Sequence, residues 1–443
     1  MTSLTARFTQ GNVSEHIIKM ALTNVIGLSV FFIVDLIDIY FISLLNQPLL
    51  LSAIAYAAAI LFFTTSITIA MMIANSVVVA RMIGQQQYQQ AKQAAMTCYI
   101  MTFTISVLVS LLVFYNSNTL LALLGAKGSE LQAAKEYLQI TLIAFPITAL
   151  SMQMNATLRA IGKAKLGMYC TVTAGFMNIV LDPIFIFHFE FDLKGAALAS
   201  LIAKSTMLLL AIYYLLIKIK FITKINFTDI KKHTRFVLKI VIPVSLTQIA
   251  TPLSQLYITY QIGQFGASYV AGWAIISRLI PVVFMMLFAM PGAIGPIISQ
   301  NLGATQFKRV RKTLNQSLNF IVKYVFVLAL GLSLLQEYLV TLFNAQDGAA
   351  IMIRFFCQYV TISFIFVAMN LVAMSFLNNV GYPKLASMLN LAKMFLGTIP
   401  FVSIGAYYYG PQGILMGQAL GSVVFALIAI MLCYQILRKL DYN

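Results

Sequence analysis

Long apolar segments recur through this chain with little between them, and that pattern constrains the fold more than any other feature. A helix needs about 20 apolar residues to cross a bilayer. Runs of that length fall at 15–45, 51–80, 93–117, 132–160, 166–188, 194–218, 235–264, 269–300, 312–343, 350–378, 384–408 and 411–437. In hydrocarbon each segment must satisfy its own backbone N–H and C=O groups, so such runs form helices. The expected fold is therefore an all-α membrane protein with twelve transmembrane helices. Composition agrees, with 60% hydrophobic and 9% charged residues, where a soluble domain carries roughly 25% charged.

The net charge of +17 would suggest nucleic acid in a soluble chain. Here no basic face with interleaved aromatics stands apart from the apolar runs, so no nucleic-acid partner is expected. The basic residues fall instead in alternate loops. With the amino terminus inside, 21 of them lie on one side, including Arg81, Arg159, Lys163, Lys218, Lys224, Lys232, Arg309 and Lys384. Only Lys127, Lys135, Lys194 and Arg354 lie on the other. The positive-inside rule then places both termini in the cytoplasm of a multi-pass inner-membrane protein. The four cysteines all lie in apolar spans with no CxxC or Cys/His cluster, so neither a disulfide frame nor a zinc site is indicated. No short apolar core with a small-residue cleavage site follows the polar start, so the first helix itself is expected to drive insertion.

The chain repeats itself. The loop ARMIGQQQYQQAKQ resembles SQNLGATQFKRVRK, and LRAIGKAKL resembles LNNVGYPKL. The interval from Gly84 to Gly303 is the same as that from Gly162 to Gly381 and from Lys165 to Lys384. One offset shared by two independent loops argues for a duplicated six-helix unit. Six is even, so both copies run the same way, and a pseudo-two-fold axis along the membrane normal is expected, with a binding site between the halves near the midplane. The domains follow: a lobe at 1–218 with the ion site, a cytoplasmic linker at 219–234, and a second lobe at 235–443.

Within the first lobe, two acids lie deep in apolar runs. Asp35 is near the middle of NVIGLSVFFIVDLIDIYFISLL. A carboxylate there costs roughly 2.5–3.5 kcal/mol on insertion scales, which marks a functional site. Asp182 lies in TVTAGFMNIVLDPIFIF, four residues after Asn178 and so on one helical face with it. An amide and a carboxyl on one face suit a proton or a small cation; the bland alternative is a capped kink before Pro183. Two buried carboxyls sharing a site do not both ionise readily, which suits them to take and release a proton. Sodium neutralising the pair is the other reading. Asp38, a turn beyond Asp35, is a partner or an outer-mouth residue. Asn155, Thr157 and Ser200 are polar groups of the kind that glue membrane helices. Arg278 and Lys204 lie within spans, where they are expected to meet carbonyls or an acid. Met285, Met286, Phe288 and Met290 form either core or an adaptable cavity lining. One repeat interval beyond Asp35 and Asp182 stand Ser254 and Phe401, so an ion site belongs to the first lobe. The three histidines lie at helix ends or loops, and no HExxH, Walker loop or GxSxG occurs. Neither catalysis, a cofactor nor ATP-driven pumping is indicated.

VDLIDIYFISLL, NIVLDPIFIFHFEFDLKGAALAS, IPVSLTQ and SQNLGATQFKRVRK together resemble the multidrug and toxic compound extrusion (MATE) family, over essentially the whole chain and in its DinF-type branch. The resemblance implies a proton- or cation-coupling site at Asp35, Asn178, Asp182 and Ser200; Asp38, Asn155 and Arg278, read from the spans themselves, are further candidates for a network or for substrate. A metal ion is implied only as sodium at Asp35, Asn178 and Asp182. Family members often carry proline early in the first helix, with bending there tied to protonation. Pro243 of the second lobe has Asn24 or Thr23 as its counterpart, which leaves Gly27 as the place for a bend. The implied activity is export of amphipathic, mostly cationic, drug-like molecules in exchange for protons, by a chain working as a monomer in the lipid bilayer. Sodium coupling and flipping of a lipid-linked precursor are the alternatives.

Overall fold

The computed structural model describes residues 5–45, 47–223 and 227–441, and its regular structure there is helical. In chain order the α-helices are α1 (Val13–Ser43), α2 (Pro48–Gly84), α3 (Tyr88–Tyr115), α4 (Ser117–Leu123), α5 (Gly128–Ala160), α6 (Ala164–Pro183) and α7 (Asp192–Ile212). Then come α8 (Phe227–Gly263), α9 (Ala267–Val283), α10 (Met285–Gly303), α11 (Phe307–Leu342), α12 (Asp347–Phe355), α13 (Phe364–Val380), α14 (Pro383–Ala392) and α15 (Ile399–Asp441). Wider π turns extend α6 over Ile184–His188 and α7 over Tyr213–Lys218.

Among the described residues ten helical segments are long and apolar enough to cross a membrane, and α9 with α10 makes an eleventh, bent by 43°. The segment Pro383–Leu440 is 58 residues long, about twice what one crossing needs. It breaks at Gly410, whose φ of 58° and ψ of −142° are not helical, with Pro411 next in the chain. That division supplies the twelfth span. The span read at 269–300 is not continuous. It breaks at Phe284, three residues after Pro281, and the freed carbonyl of Val283 accepts a hydrogen bond from the Tyr324 hydroxyl at 3.0 Å. The first helix runs unbroken through Gly27.

The repeat is written into the turns. Left-handed backbone occurs at Gln86 and Thr305, Gly125 and Asn344, Gly128 and Asp347, and Gly162 and Gly381. Every one of these pairs is separated by the interval that relates the loop sequences. Glycine fits such a conformation without a Cβ clash, which is why Gly162 and Gly381 were visible as matched punctuation.

By contacts the described chain forms two compact units. The first holds the stretch ending at Arg7 and Thr23–Val241; the second holds Phe8–Leu22 and Ile242–Asn443. The expected boundaries therefore shift. The linker read at 219–234 passes into α8 at Phe227, and the division falls between Val241 and Ile242 within that helix. Lys224, read as a loop residue, lies outside the described residues, as does the side chain of Lys232.

In the first unit α5 packs against α2, α3 and α7, and α6 packs against α7. Two apolar clusters occupy its ends. One joins Val79, Ile83, Ala95, Leu158, Ile161 and Leu215; the other joins Ile42, Leu121, Leu138, Leu142, Ile186 and Leu193. Asn178, Asp182 and Ser200 lie between them along α6 and α7.

The second unit packs α9 on α12, and α13 on α10 and α15. It also takes in the start of the chain. Asn12 caps α1, its Oδ1 accepting the Ser14 amide at 3.0 Å. The Arg309 guanidinium donates to the carbonyls of Phe8, Gln10 and Gly11 and to Asn301 Oδ1, each within 3.1 Å. Gln300 accepts the Phe8 amide at 3.0 Å, and the Phe8 side chain is buried. The first turns of α1, up to Leu22, thus belong to one unit and the rest of that helix to the other.

Candidate functional site

Asp182 anchors the site in the first unit. It ends the regular part of α6, immediately before Pro183 and the π turn, a kind of irregularity that recurs at functional sites. Its side chain is fully buried. Asp182 Oδ1 accepts from Asn178 Nδ2 at 2.9 Å, one turn back on the same face. Asn178 Oδ1 in turn accepts from the Ser200 hydroxyl on α7 at 3.3 Å. Asn178 is thus held by both neighbours in a single orientation.

Helix α1 comes close because α6 carries a glycine where they touch. A Cβ on Gly175 would run into Val30 Cγ1 and crowd Val34. The two helices run in the same direction along the unit. Two turns beyond Val30 on α1 and beyond Gly175 on α6 the chains therefore reach the same level, and the residues there are Asp38 and Asp182. Their carboxyls are within hydrogen-bond reach of one another. Asp38 Oδ1 and Asp182 Oδ2 are both buried, and neither meets a donor among the described residues. Ionised carboxylates only accept. A proton held on either carboxyl would supply a donor to the pair.

The remaining predicted residues fall at different distances from this pair. Asp35 is exposed, one turn before Asp38 on α1, with Asp38, Lys204 and Tyr137 as its ionisable neighbours. The buried centre is thus Asp38 with Asp182, and Asp35 stands at the edge. Asn155 is buried elsewhere, beside Gly167, donating to Thr171 Oγ1 at 3.2 Å, and no hydrogen bond joins it to the acids among the described residues. Arg278 is exposed on α9 in the second unit. Met290 is fully buried while Phe288 is 40% exposed, so the methionine-rich stretch does not share one face.

The sequence reading missed two things. Tyr137 of α5 stands near Asp35, Asp38 and Asp182. A second, neutral cluster, of which the sequence reading had singled out only Thr157, joins α2, α3 and α5. Asn75 donates to Thr157 Oγ1 at 2.9 Å and to the Gln153 carbonyl at 3.1 Å. The Tyr99 hydroxyl reaches Thr157 at 2.7 Å, and Gln153 donates to Thr102 at 2.7 Å. The i, i+4 spacing of Gln153 and Thr157 was its one local signal. Among the described residues no three His, Cys, Asp or Glu side chains converge as metal ligands.

Two repeated six-span units, one holding a buried carboxyl pair, define a membrane transporter of the kind built from parallel repeats. The MatE family profile matches twice, over residues 24–184 and 243–404, and its two starting points are one repeat interval apart. The chain belongs to the MatE family, and is accordingly a multi-pass membrane transporter and not an enzyme. Among curated relatives it is 25% identical over 434 residues to an FAD transporter of Shewanella oneidensis, covering 97% of this chain and 95% of the relative. It is 22% identical over 443 residues to the multidrug export protein MepA of Staphylococcus aureus, covering 98% and 97%. Among solved structures, the Vibrio cholerae MATE transporter VcmN superposes with a TM-score of 0.93 at 23% identity, over 97% of this chain and 99% of that one. A MOP superfamily transporter from Pyrococcus furiosus superposes with a TM-score of 0.92 at 20% identity, over 100% and 99%. These likenesses establish the fold.

Proposed function

We propose that this protein is a secondary antiporter of the inner membrane, with both termini cytoplasmic, that exports amphipathic, mostly cationic molecules in exchange for protons. The observation that carries the reading is the neighbouring Asp38 and Asp182 carboxyls, each with a buried oxygen that meets no donor among the described residues. With one proton held there, a second entering from outside neutralises the pair. That removes the attraction for a cationic substrate and favours its release. An ion drives the cycle only if it binds the two states unequally, and each charge moved down the potential supplies about 2.3 kcal/mol per 100 mV. Asn178 and Ser200 hold Asp182 in place and do not themselves titrate. Likeness to a multidrug export protein over 98% of the chain supports export of drug-like molecules.

Two other readings have specific support. Asp38, Asp182, Asn178 and Ser200 also present enough oxygens for sodium. Likeness to an FAD transporter favours a flavin dinucleotide as cargo, which the same exchange would move. Efflux from proteoliposomes under a proton gradient or a sodium gradient, with ethidium and FAD as separate cargoes, tests all three. Ethidium efflux driven by protons alone is the expected result. Efflux driven only by sodium replaces the ion, FAD alone replaces the cargo, and movement under neither gradient ends the antiporter reading.

A further inference from the structure

Helix α11 opens with Lys308, Arg309, Arg311 and Lys312, and its first turn holds no acid. Cations at the positive end of a helix dipole weaken the helix unless an anion sits with them. Arg309 is engaged by the carbonyls at the start of the chain. Lys308, Arg311 and Lys312 lie on one helical face with Asn315, at spacings of three and four. That face packs on the end of α15, within the second unit. The Tyr434 hydroxyl of α15 donates to Asn315 Oδ1 at 2.8 Å, and Arg311 is a charged neighbour of Tyr434. The start of one helix thus meets the end of the other. One turn beyond the bond, Arg438 of α15 comes level with Arg311 and Lys312 of α11. Lys308, Lys312, Arg438 and Lys439 are exposed. Five cations gather here, against Asp441 as the one acid in the flanking turns.

A general excess of positive charge inside does not account for this cluster. One repeat interval earlier, Lys308, Lys312, Tyr434 and Arg438 have Gln89, Gln93, Leu215 and Ile219 as counterparts. There Gln89 donates to Thr223 at 3.2 Å, and Leu215 is buried in an apolar cluster. Further along the seam of the second unit the exposed residues turn apolar, with Val322 and Phe326 on α11 and Leu427 and Met431 on α15.

We propose that the seam between α11 and α15 binds one anionic phospholipid, its phosphate held by Lys308, Lys312 and Arg438 and its acyl chains laid along those apolar residues. Basic groups clustered between membrane helices suit a lipid phosphate, and Arg438 can meet two of its oxygens at once. The headgroup places an anion at the start of α11, where the helix dipole favours one. In the orientation proposed above, the lipid belongs to the cytoplasmic leaflet. The site depends on neither the cargo nor the coupling ion, so a failure of ion-driven efflux leaves it standing.

Native mass spectrometry of the full chain, titrated separately with phosphatidylglycerol, phosphatidylcholine and inorganic phosphate, tests this. Phosphatidylglycerol is expected to bind more tightly than either of the others, at one molecule per chain. Each basic residue beside an anionic headgroup is worth about fivefold in affinity. Lys312→Gln with Arg438→Gln should therefore weaken phosphatidylglycerol binding about thirtyfold. Lys92→Gln with Lys220→Gln removes the same charge from the matching end of the first unit and should leave binding nearly unchanged. Lys308→Gln with Lys439→Gln replaces the first pair should that variant fail to fold. Equal losses in the variants of the two units would reduce the site to diffuse surface charge and overturn the proposal. Phosphatidylcholine binding as tightly as phosphatidylglycerol would also overturn it. So would inorganic phosphate binding as tightly as the lipid, which would make this a site for a free anion.

Discussion

The two units repeat one sequence pattern yet differ in what they bury. The first encloses Asp38 and Asp182, with Asp35, Tyr137 and Lys204 around them. The second pairs neutral polar groups instead, in part at exposed positions such as Thr259. Ser299 donates to Asn379 Oδ1 at 2.7 Å, Ser375 to the Pro291 carbonyl at 3.1 Å, Gln261 to the Tyr257 hydroxyl at 2.7 Å, and Trp273 to Thr259 at 3.0 Å. Its acid Glu337 is exposed and clamped by Arg354 through two bonds of 2.8 Å. Duplication has kept the frame, down to left-handed turns at matched positions, while the interiors have parted. A neutral hydrogen-bonded pair has one protonation state. A carboxyl pair with a shared proton has two, because adding or removing a proton changes its hydrogen bonding, and a bistable element is what an ion needs in order to bias a conformational equilibrium.

That contrast can be broken by substitution. The largest effect is expected at Asp182→Asn, which keeps the shape and removes the exchangeable charge. Ion-driven efflux should fall about a hundredfold while thermal unfolding in detergent changes little; efflux near the unmodified rate would put the coupling site elsewhere. Asn379→Ala is its opposite in the second unit. It strips the acceptor from buried Ser299, which should cost about 1–3 kcal/mol of stability, and leave the dependence of flux on the proton gradient unchanged. A changed ion dependence in Asn379→Ala would erase the distinction between the units. Ser200→Ala should have the smallest effect. Losing one hydrogen bond to Asn178 is worth about 0.5–1.5 kcal/mol, so the proton concentration for half-maximal efflux should shift only a few-fold, with maximal rate kept.

The frame was legible in the sequence because each span carries its own signal. Apolar length marked the helices, and matched glycines at one offset marked the repeat. The Asn178–Asp182 pair was legible for the same reason, since a spacing of four is decided within one helix. What escaped depends on how helices meet. Asp35 and Asp38 are a turn apart, and only the approach of α1 over Gly175 decides which of them reaches Asp182. Tyr137 and Lys204 arrive from other helices with no pattern linking them to the acids. The break at Phe284 lies three residues after the proline that a sequence reader would blame. The start of the chain belongs with the second unit through backbone carbonyls held by Arg309, and carbonyls leave no trace in a sequence.

The central claim is that Asp38 and Asp182 share a proton, and infrared difference spectroscopy of the carboxyl stretch tests it most directly. A protonated carboxyl absorbs at higher frequency than a carboxylate, and exchange into heavy water identifies it. The account predicts such a band in the unmodified protein at neutral pH, lost or shifted in both Asp38→Asn and Asp182→Asn, and retained in Asp35→Asn. A band that disappears only in Asp35→Asn, or no protonated carboxyl at all in the unmodified protein, would contradict it.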